Sequence, residues 1–193
     1  EGGGAVIRIC DIRIQLGERS LFQHLSWTIL PGSRTGLVGN NGAGKTTLLR
    51  MMTGETAVDS GTVTIPKGLR IGYLPQDLVE LPDMPVLSFL RSRTGLAAVE
   101  DELAACAGRL AALPPESPEH ERELNRHDLL LKRFESLDGY AFDAMAGKIL
   151  SGLGFSQHDL DRTTGCFSGG WKMRLHLAGL LLLCPDILLL DEP

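Results

Sequence analysis

The chain has 193 residues, 43% apolar and 22% charged, the balance of an ordinary globular protein long enough to bury one core. Its formal net charge of −5 offers no general attraction for nucleic acid or an anionic membrane surface. Cys10, Cys106, Cys166 and Cys184 are scattered with no CxxC pair, which argues against a disulfide framework or zinc site and for a reducing cytosol.

The opening "EGGGAVIRI" has neither a basic region nor an initiator Met and reads as a cloning scar or a cut end. "AVIRI" and "DIRIQL" then read as two short strands, with "LSWTIL" following. Pro31 and Gly32 make a turn, and "SRTGLVG", 33–39, reads as a buried strand ending in glycine. Lys45 to Met52 has helical composition. Asp59 to Gly61 is a turn before the strand "TVTI", and "RIGYL" is the next strand. Pro85 is placed to open a helix through Val86 to Arg91.

Leu96 to Leu113 is rich in Ala, Leu and Glu and predicts a helix, which "PPESPE" ends. Glu119 to Leu137 resumes helical periodicity, with Leu124, Leu131 and Phe134 as its apolar stripe. Together they predict an antiparallel helical hairpin. The final apolar stretch, "LHLAGLLLLCPDILLLDEP", is divided by Pro185 and Asp186 into pieces shorter than the roughly 20 residues that span a bilayer. It reads as a core helix followed by a buried strand.

"GNNGAGKT", Gly39 to Thr46, carries the strongest chemistry. Its spacing is that of a phosphate-binding loop between a strand and a helix. Gly39, Gly42 and Gly44 let the loop's backbone N–H groups, with those of Asn40, Asn41 and Ala43, turn toward phosphate oxygens. The following helix, with Thr47 in its first turn, adds the positive end of its dipole. In such a loop Lys45 reaches the β- and γ-phosphates and the Thr46 hydroxyl ligates Mg2+. In "ILLLDEP", four apolar residues predict a buried parallel strand, whose carboxyl end would bring Asp191 to the metal and Glu192 to an attacking water.

The order of four segments carries a resemblance: the phosphate loop, "YLPQ" around Gln76, "FSGGW" at Phe167 to Trp171, and "LLLLDEP". It resembles an ATP-binding-cassette (ABC) nucleotide-binding domain. That implies an α/β, P-loop NTPase core with an antiparallel β portion near the N-terminus and an inserted helical subdomain bearing the hairpin arm. It implies Mg-ATP as the bound species, with Gln76 touching metal and water, Glu192 as catalytic base, and Thr46, Gln76 and Asp191 on the metal. Ser168, Gly169 and Gly170 would present N–H groups to the γ-phosphate of ATP held by a second cassette, which fits the anion affinity of a helix start. Leu16 stands where such cassettes commonly have an adenine-stacking aromatic, giving apolar contact without π-stacking.

Within that superfamily, "FSGGWKMRL", "ILSGLGF" and the long helical insertion look like the ABC-F group, two-cassette proteins without a membrane domain, many acting on the ribosome in translation or antibiotic resistance. The implied organisation is 1–76 as the first part of the core, 77–166 as the helical subdomain with its arm at about 96–138, and 167–193 as signature helix and final strand. The rest of the cassette would lie outside this chain, which alone should bind ATP with little turnover. The implied partners are a second cassette and ribosomal RNA, in the cytoplasm. Yet acidic residues outnumber basic ones in the arm, the opposite of an RNA footprint. The alternatives are the ATPase subunit of a membrane transporter and a fragment that binds nucleotide without hydrolysing it.

Overall fold

A computed structural model describes residues 7–17, 19–77 and 80–192. The chain forms two compact units, Glu1–Asp77 with Cys184–Pro193, and Leu78–Leu183.

In the first unit, β1 (Ile7–Leu16), β2 (Arg19–Ile29) and β3 (Ser60–Thr64) form an antiparallel sheet in the order β2-β1-β3. The two short runs expected at the N-terminus are one strand, and the reason is a bulge. Ile7 and Ile9 are out of phase with Ile12 and Ile14 for a simple alternation, yet all four are buried. Both pairings of β1 slip register at this point, and Asp11 takes a φ of 49°. One extra residue in the strand restores the second isoleucine pair to the core face. Opposite it, His24 has a φ of 57°, and its Nδ1 lies 2.6 Å from the Asp11 carboxylate.

The second sheet of this unit is parallel: β4 (Ile71–Leu74) pairs with β5 (Ile187–Leu190), Leu74 opposite Leu190. Helix α1 (Lys45–Thr53) packs Leu48, Leu49, Met51 and Met52 into a core with the β1 isoleucines and Leu189. One expectation fails. Residues 33–39 are not a strand, and Val38 is 99% exposed. Only Leu37 and Val38 are apolar between Gly36 and Gly39, and glycine weakens a strand. No strand among the described residues pairs with this segment, so it lacks the hydrogen bonds that would hold it extended and buried.

The second unit is helical: α2 (Val86–Thr94), α3 (Leu96–Ala112), α4 (Pro118–Ser136), α5 (Phe142–Gly152) and α6 (Gly169–Leu182). Its core joins Phe89 and Leu90 of α2, Phe142 and Leu150 of α5, and Leu175 and Ala178 of α6. The predicted hairpin forms. Ser117 caps α4 by accepting from the His120 N–H at 3.1 Å, with Pro118 in the first turn and Glu119 and Glu121 suited to that end of the dipole.

Arg109 of α3 bonds Glu123 of α4 at 2.8 Å, while the earlier Glu102 meets the later Arg126 at 3.5 Å, as antiparallel helices require. The apolar stripe is displaced from expectation. Leu131 and Phe134 are half-buried, but Leu124 is 48% exposed, and the buried leucine is Leu130. Positions 123, 127, 130 and 134 turn inward instead, so Glu123 faces the seam. Its carboxylate accepts from Arg109 and from the buried Cys106 thiol at 3.0 Å, and both bonds hold it below the usual carboxylate range. Among the described residues no helix is long and apolar enough to cross a membrane.

Candidate functional site

The phosphate-loop pattern becomes a tight turn leading into α1. The Ala43 N–H donates to the Asn40 carbonyl at 3.0 Å, and Gly42 and Gly44 take φ values of 76° and 96°, which side chains other than glycine's disfavour. Gly44 is the N-cap of α1, with no side-chain cap and no acidic residue in the first turn. The first N–H groups of the helix therefore keep their positive field for an external anion. A Cβ on Gly44 would stand 2.8 Å from the tip of the Phe22 ring, so the bare backbone also serves packing. Gly39 and residues 40–43 are exposed, and Thr46 and Thr47 are half-buried.

Lys45 folds back over this loop. Its ammonium donates to the Gly39 carbonyl at 3.0 Å and the Asn40 carbonyl at 3.4 Å, and lies 3.7 Å from Glu192. The Gln76 amide donates to the other oxygen of Glu192 at 2.9 Å, leaving its own amide oxygen for another partner. Three residues drawn from distant parts of the sequence thus meet: the loop lysine, the glutamine after β4 and the glutamate after β5. The parallel pairing of β4 with β5 is what delivers the last two side by side.

Asp191 turns the other way. It is 3% exposed, its N–H donates to the Leu74 carbonyl at 3.0 Å, and its carboxylate accepts from the Tyr73 hydroxyl at 3.3 Å. Glu192, with a left-handed φ of 50°, redirects the chain so that successive carboxylates diverge. Tyr73 was not anticipated as a site residue. Burial lifts its phenol above the ordinary range, opposed by a hydrogen bond from Arg50, so it stays a neutral donor to Asp191 at neutral pH. Nothing in "RIGYL" marks it: the β4–β5 pairing brings Tyr73 to Asp191, since it immediately precedes the residue paired with Leu190.

In the second unit, Ser168 is the N-cap of α6 and makes no side-chain cap bond, and the first turn holds no acid. A Cβ on Gly170 would meet nothing within 4 Å, and its φ is not in the left-handed region. Among the described residues nothing demands glycine there, which suits close approach by something outside the chain. The bulk beside that bare turn is packing: Trp171 meets Phe155 edge-on at 4.8 Å, and Arg174 lies 4.7 Å over the Trp171 ring while donating to the Leu153 carbonyl. Arg162 lies 4.7 Å over Phe167. The aromatic and arginine side chains hold the start of α6 from the inner side and leave its backbone exposed. The Leu16 side chain lies outside the described residues, as does Pro193.

Among the described residues no cluster of three or more His, Cys, Asp or Glu side chains is placed to hold a metal by itself. The available donors, the Thr46 hydroxyl, the Asp191 carboxylate and the Gln76 amide oxygen, are all hard oxygens, the set that suits Mg2+ when phosphates and water complete its shell. Asp191 is a buried carboxylate with no ion-pair partner among the described residues, which also fits a cation.

Comparison with known proteins matches this arrangement to one family. The tylosin resistance ATP-binding protein of Streptomyces fradiae is 38% identical over 177 residues, 91% of this chain and 32% of that protein. ABC transporter F family member 5 of Arabidopsis thaliana is 33% identical over 189 residues, 97% of this chain and 27% of that protein. The chain thus spans about a third or less of these curated relatives. A solved putative ABC transporter ATP-binding protein from Pyrococcus furiosus shares the fold, with a TM-score of 0.65 at 19% identity, over 97% of this chain and 76% of that one. With the ABC transporter family profile matching residues 22–193, the chain belongs to that family of ATP-binding cassettes.

Proposed function

We propose that this chain is the ATP-hydrolysing part of a first cassette in an ABC-F-type protein that works in the cytoplasm on the ribosome. The carrying observation is the meeting of Lys45, Gln76 and Glu192 beside the phosphate loop. In this reading Lys45 exchanges its loop carbonyls for the β- and γ-phosphates, with the loop N–H groups and α1 completing the cradle. Thr46, Gln76 and Asp191 would hold Mg2+, which when bound neutralises phosphate charge. Glu192 accepts the proton of the attacking water, and Gln76 fixes the direction of its carboxylate.

Residues 1–76 and 167–193 would bring the phosphate loop, signature helix and final strand, and 77–166 the helical subdomain with the arm at about 96–138. A second cassette would complete the site, its γ-phosphate received by Ser168, Gly169 and Gly170. This chain alone would then bind ATP and turn it over slowly, because preorganised donors at the developing charge are missing, each typically worth roughly 10²–10³ in rate. Trp171 directly after the two glycines and the α3–α4 hairpin favour the ABC-F reading, as does the likeness to a tylosin resistance protein and an F family member. The match of residues 22–193 to the family described as ABC transporter favours a second reading, the ATPase subunit of a membrane transporter.

Calorimetric titration of Mg-ATP into the parent and Lys45→Ala tests the site. Loss of a charged hydrogen-bond donor should weaken binding by about 1.5–3 kcal/mol, roughly 10- to 150-fold. Equal affinities would remove the phosphate loop from the reading. Ribosome co-sedimentation with and without ATP separates the two cellular roles, since a transporter subunit should stay in the supernatant in both.

A further inference from the structure

Thr164 is a threonine with no exposed surface, three residues before the buried Phe167 and four before its exposed neighbour Ser168. Its hydroxyl donates to the Pro82 carbonyl at 2.6 Å and accepts from the Met84 N–H at 3.3 Å, while its own N–H donates to the Met84 carbonyl at 2.9 Å. On either side the same two segments are joined again. The Gly165 N–H donates to Asp83 at 3.0 Å, the Val86 N–H donates to the Arg162 carbonyl at 3.1 Å, and Pro85 forms a β-bridge with Thr163. A Cβ on Gly165 would collide with the Asp83 carboxylate at 2.6 Å, so the approach is as close as glycine allows.

Sequence separation makes this clasp informative. Residues 82–86 are the entry to α2, and residues 162–165 are the entry to the signature backbone. Beyond the clasp the path to Ser168 is short and itself pinned: the Phe167 N–H donates to the Thr164 carbonyl, and Arg162 donates to the Cys166 carbonyl while covering the Phe167 ring. A buried hydroxyl that satisfies both an acceptor and a donor fixes one geometry, because any displacement leaves buried polar groups unpaired.

We infer that Thr164 is a positioning residue for the signature backbone: its hydroxyl clasp sets where the N–H groups of Ser168, Gly169 and Gly170 point. The inference rests on the proposed role of those three residues as γ-phosphate donors to a second cassette. It adds that the aim of these donors is set by the clasp to residues 82–86.

The test is steady-state ATP hydrolysis by the intact protein carrying Thr164→Val, Thr164→Ser or Asp83→Ala, with Mg-ATP affinity measured alongside. Thr164→Val keeps the shape and removes the hydroxyl. It should lower kcat by about 10- to 100-fold, the scale of a small misplacement of catalytic groups, while leaving KM and ATP affinity nearly unchanged. Thr164→Ser restores the hydroxyl and should restore kcat. Asp83→Ala, on an exposed loop, should lower kcat in the same direction by a smaller factor. Parental kcat in Thr164→Val, or a Ser variant no better than Val, overturns the inference. If Thr164→Val does not fold, Asp83→Ala decides it, a parental kcat there being the refuting result. Failure of the phosphate-loop reading would appear separately, as unchanged ATP affinity in Lys45→Ala.

Discussion

Gly44→Ala is the sharpest perturbation of the phosphate loop. At φ 96° and ψ 12°, any side chain puts the backbone under strain of about 1–3 kcal/mol. The new Cβ would also stand 2.8 Å from the Phe22 ring tip, which must withdraw. Because that atom is the free end of a half-buried side chain, we assign it about 1 kcal/mol, the low end of the overpacking range. The sum, about 2–4 kcal/mol, falls on a buried residue, but residues 40–43 beside it are exposed and can relax while no phosphate is held. We therefore predict a small change in melting temperature and a roughly 30- to 1000-fold loss of Mg-ATP affinity, as the strain is incurred when the loop closes on phosphate. Calorimetry and thermal melts on the same samples measure both. Adding Phe22→Ala removes the collision but not the backbone strain, so it should recover less than half of the lost log affinity. Affinity within threefold of the parent, or full recovery in the double variant, would refute the argument.

Three further predictions follow from single side chains. Glu192→Gln should bind Mg-ATP at least as well, since a negative charge 3.7 Å from Lys45 is gone, but single-turnover hydrolysis in the intact protein should slow by about 10²–10⁴; hydrolysis at the parental rate would place the base elsewhere. His176 on α6 is 7% exposed with an unpaired Nε2, and burial, helped by Arg93, holds its imidazole below the ordinary value near 6.5. The unfolded chain then binds the extra proton first, so stability is complete above about pH 6.5 and declines as pH falls through that value toward the lower folded one. Urea melts at pH 7.5 and 5.5 should show a smaller decline in His176→Leu, and equal declines would dismiss the residue. Cys106 is buried, and both burial and Glu123 push its thiol up, whereas Cys10, Cys166 and Cys184 are exposed. A thiol reagent should therefore label three cysteines in the native protein and the fourth only on unfolding; rapid labelling of all four would mean that the α3–α4 seam opens.

Much of the local structure was legible because it depends on near neighbours. The glycine spacing of "GNNGAGKT" predicted a loop opening a helix, and α1 begins at Lys45. "PPESPE" predicted the break between α3 and α4 because proline lacks the helical N–H, and Ser117 with Pro118 is a helix start written in adjacent residues. The bulge at Asp11 was half visible, as a phase break between two isoleucine pairs. That one strand runs through it follows from pairing on both edges, since β2 and β3 hold the ladder on either side.

Other features depend on partners far along the chain. Composition made 33–39 a strand, but a strand needs neighbours for its backbone, and no neighbour pairs with it among the described residues. Periodicity chose Leu124, whereas the hairpin turned Glu123 inward because Cys106 and Arg109 on α3 satisfy its carboxylate. Tyr73 under Asp191 and Thr164 under the approach to Ser168 have no local signature, since each is defined by bonds to residues 118 and 80–82 positions away. The sequence by itself determined which residue types stand at 39–46, in the final strand and at 167–171, because backbone freedom and charge are properties of the residues. Only the tertiary structure decided which side chains meet, as the parallel β4–β5 register carries Gln76 and Glu192 to Lys45 while turning Asp191 into the core.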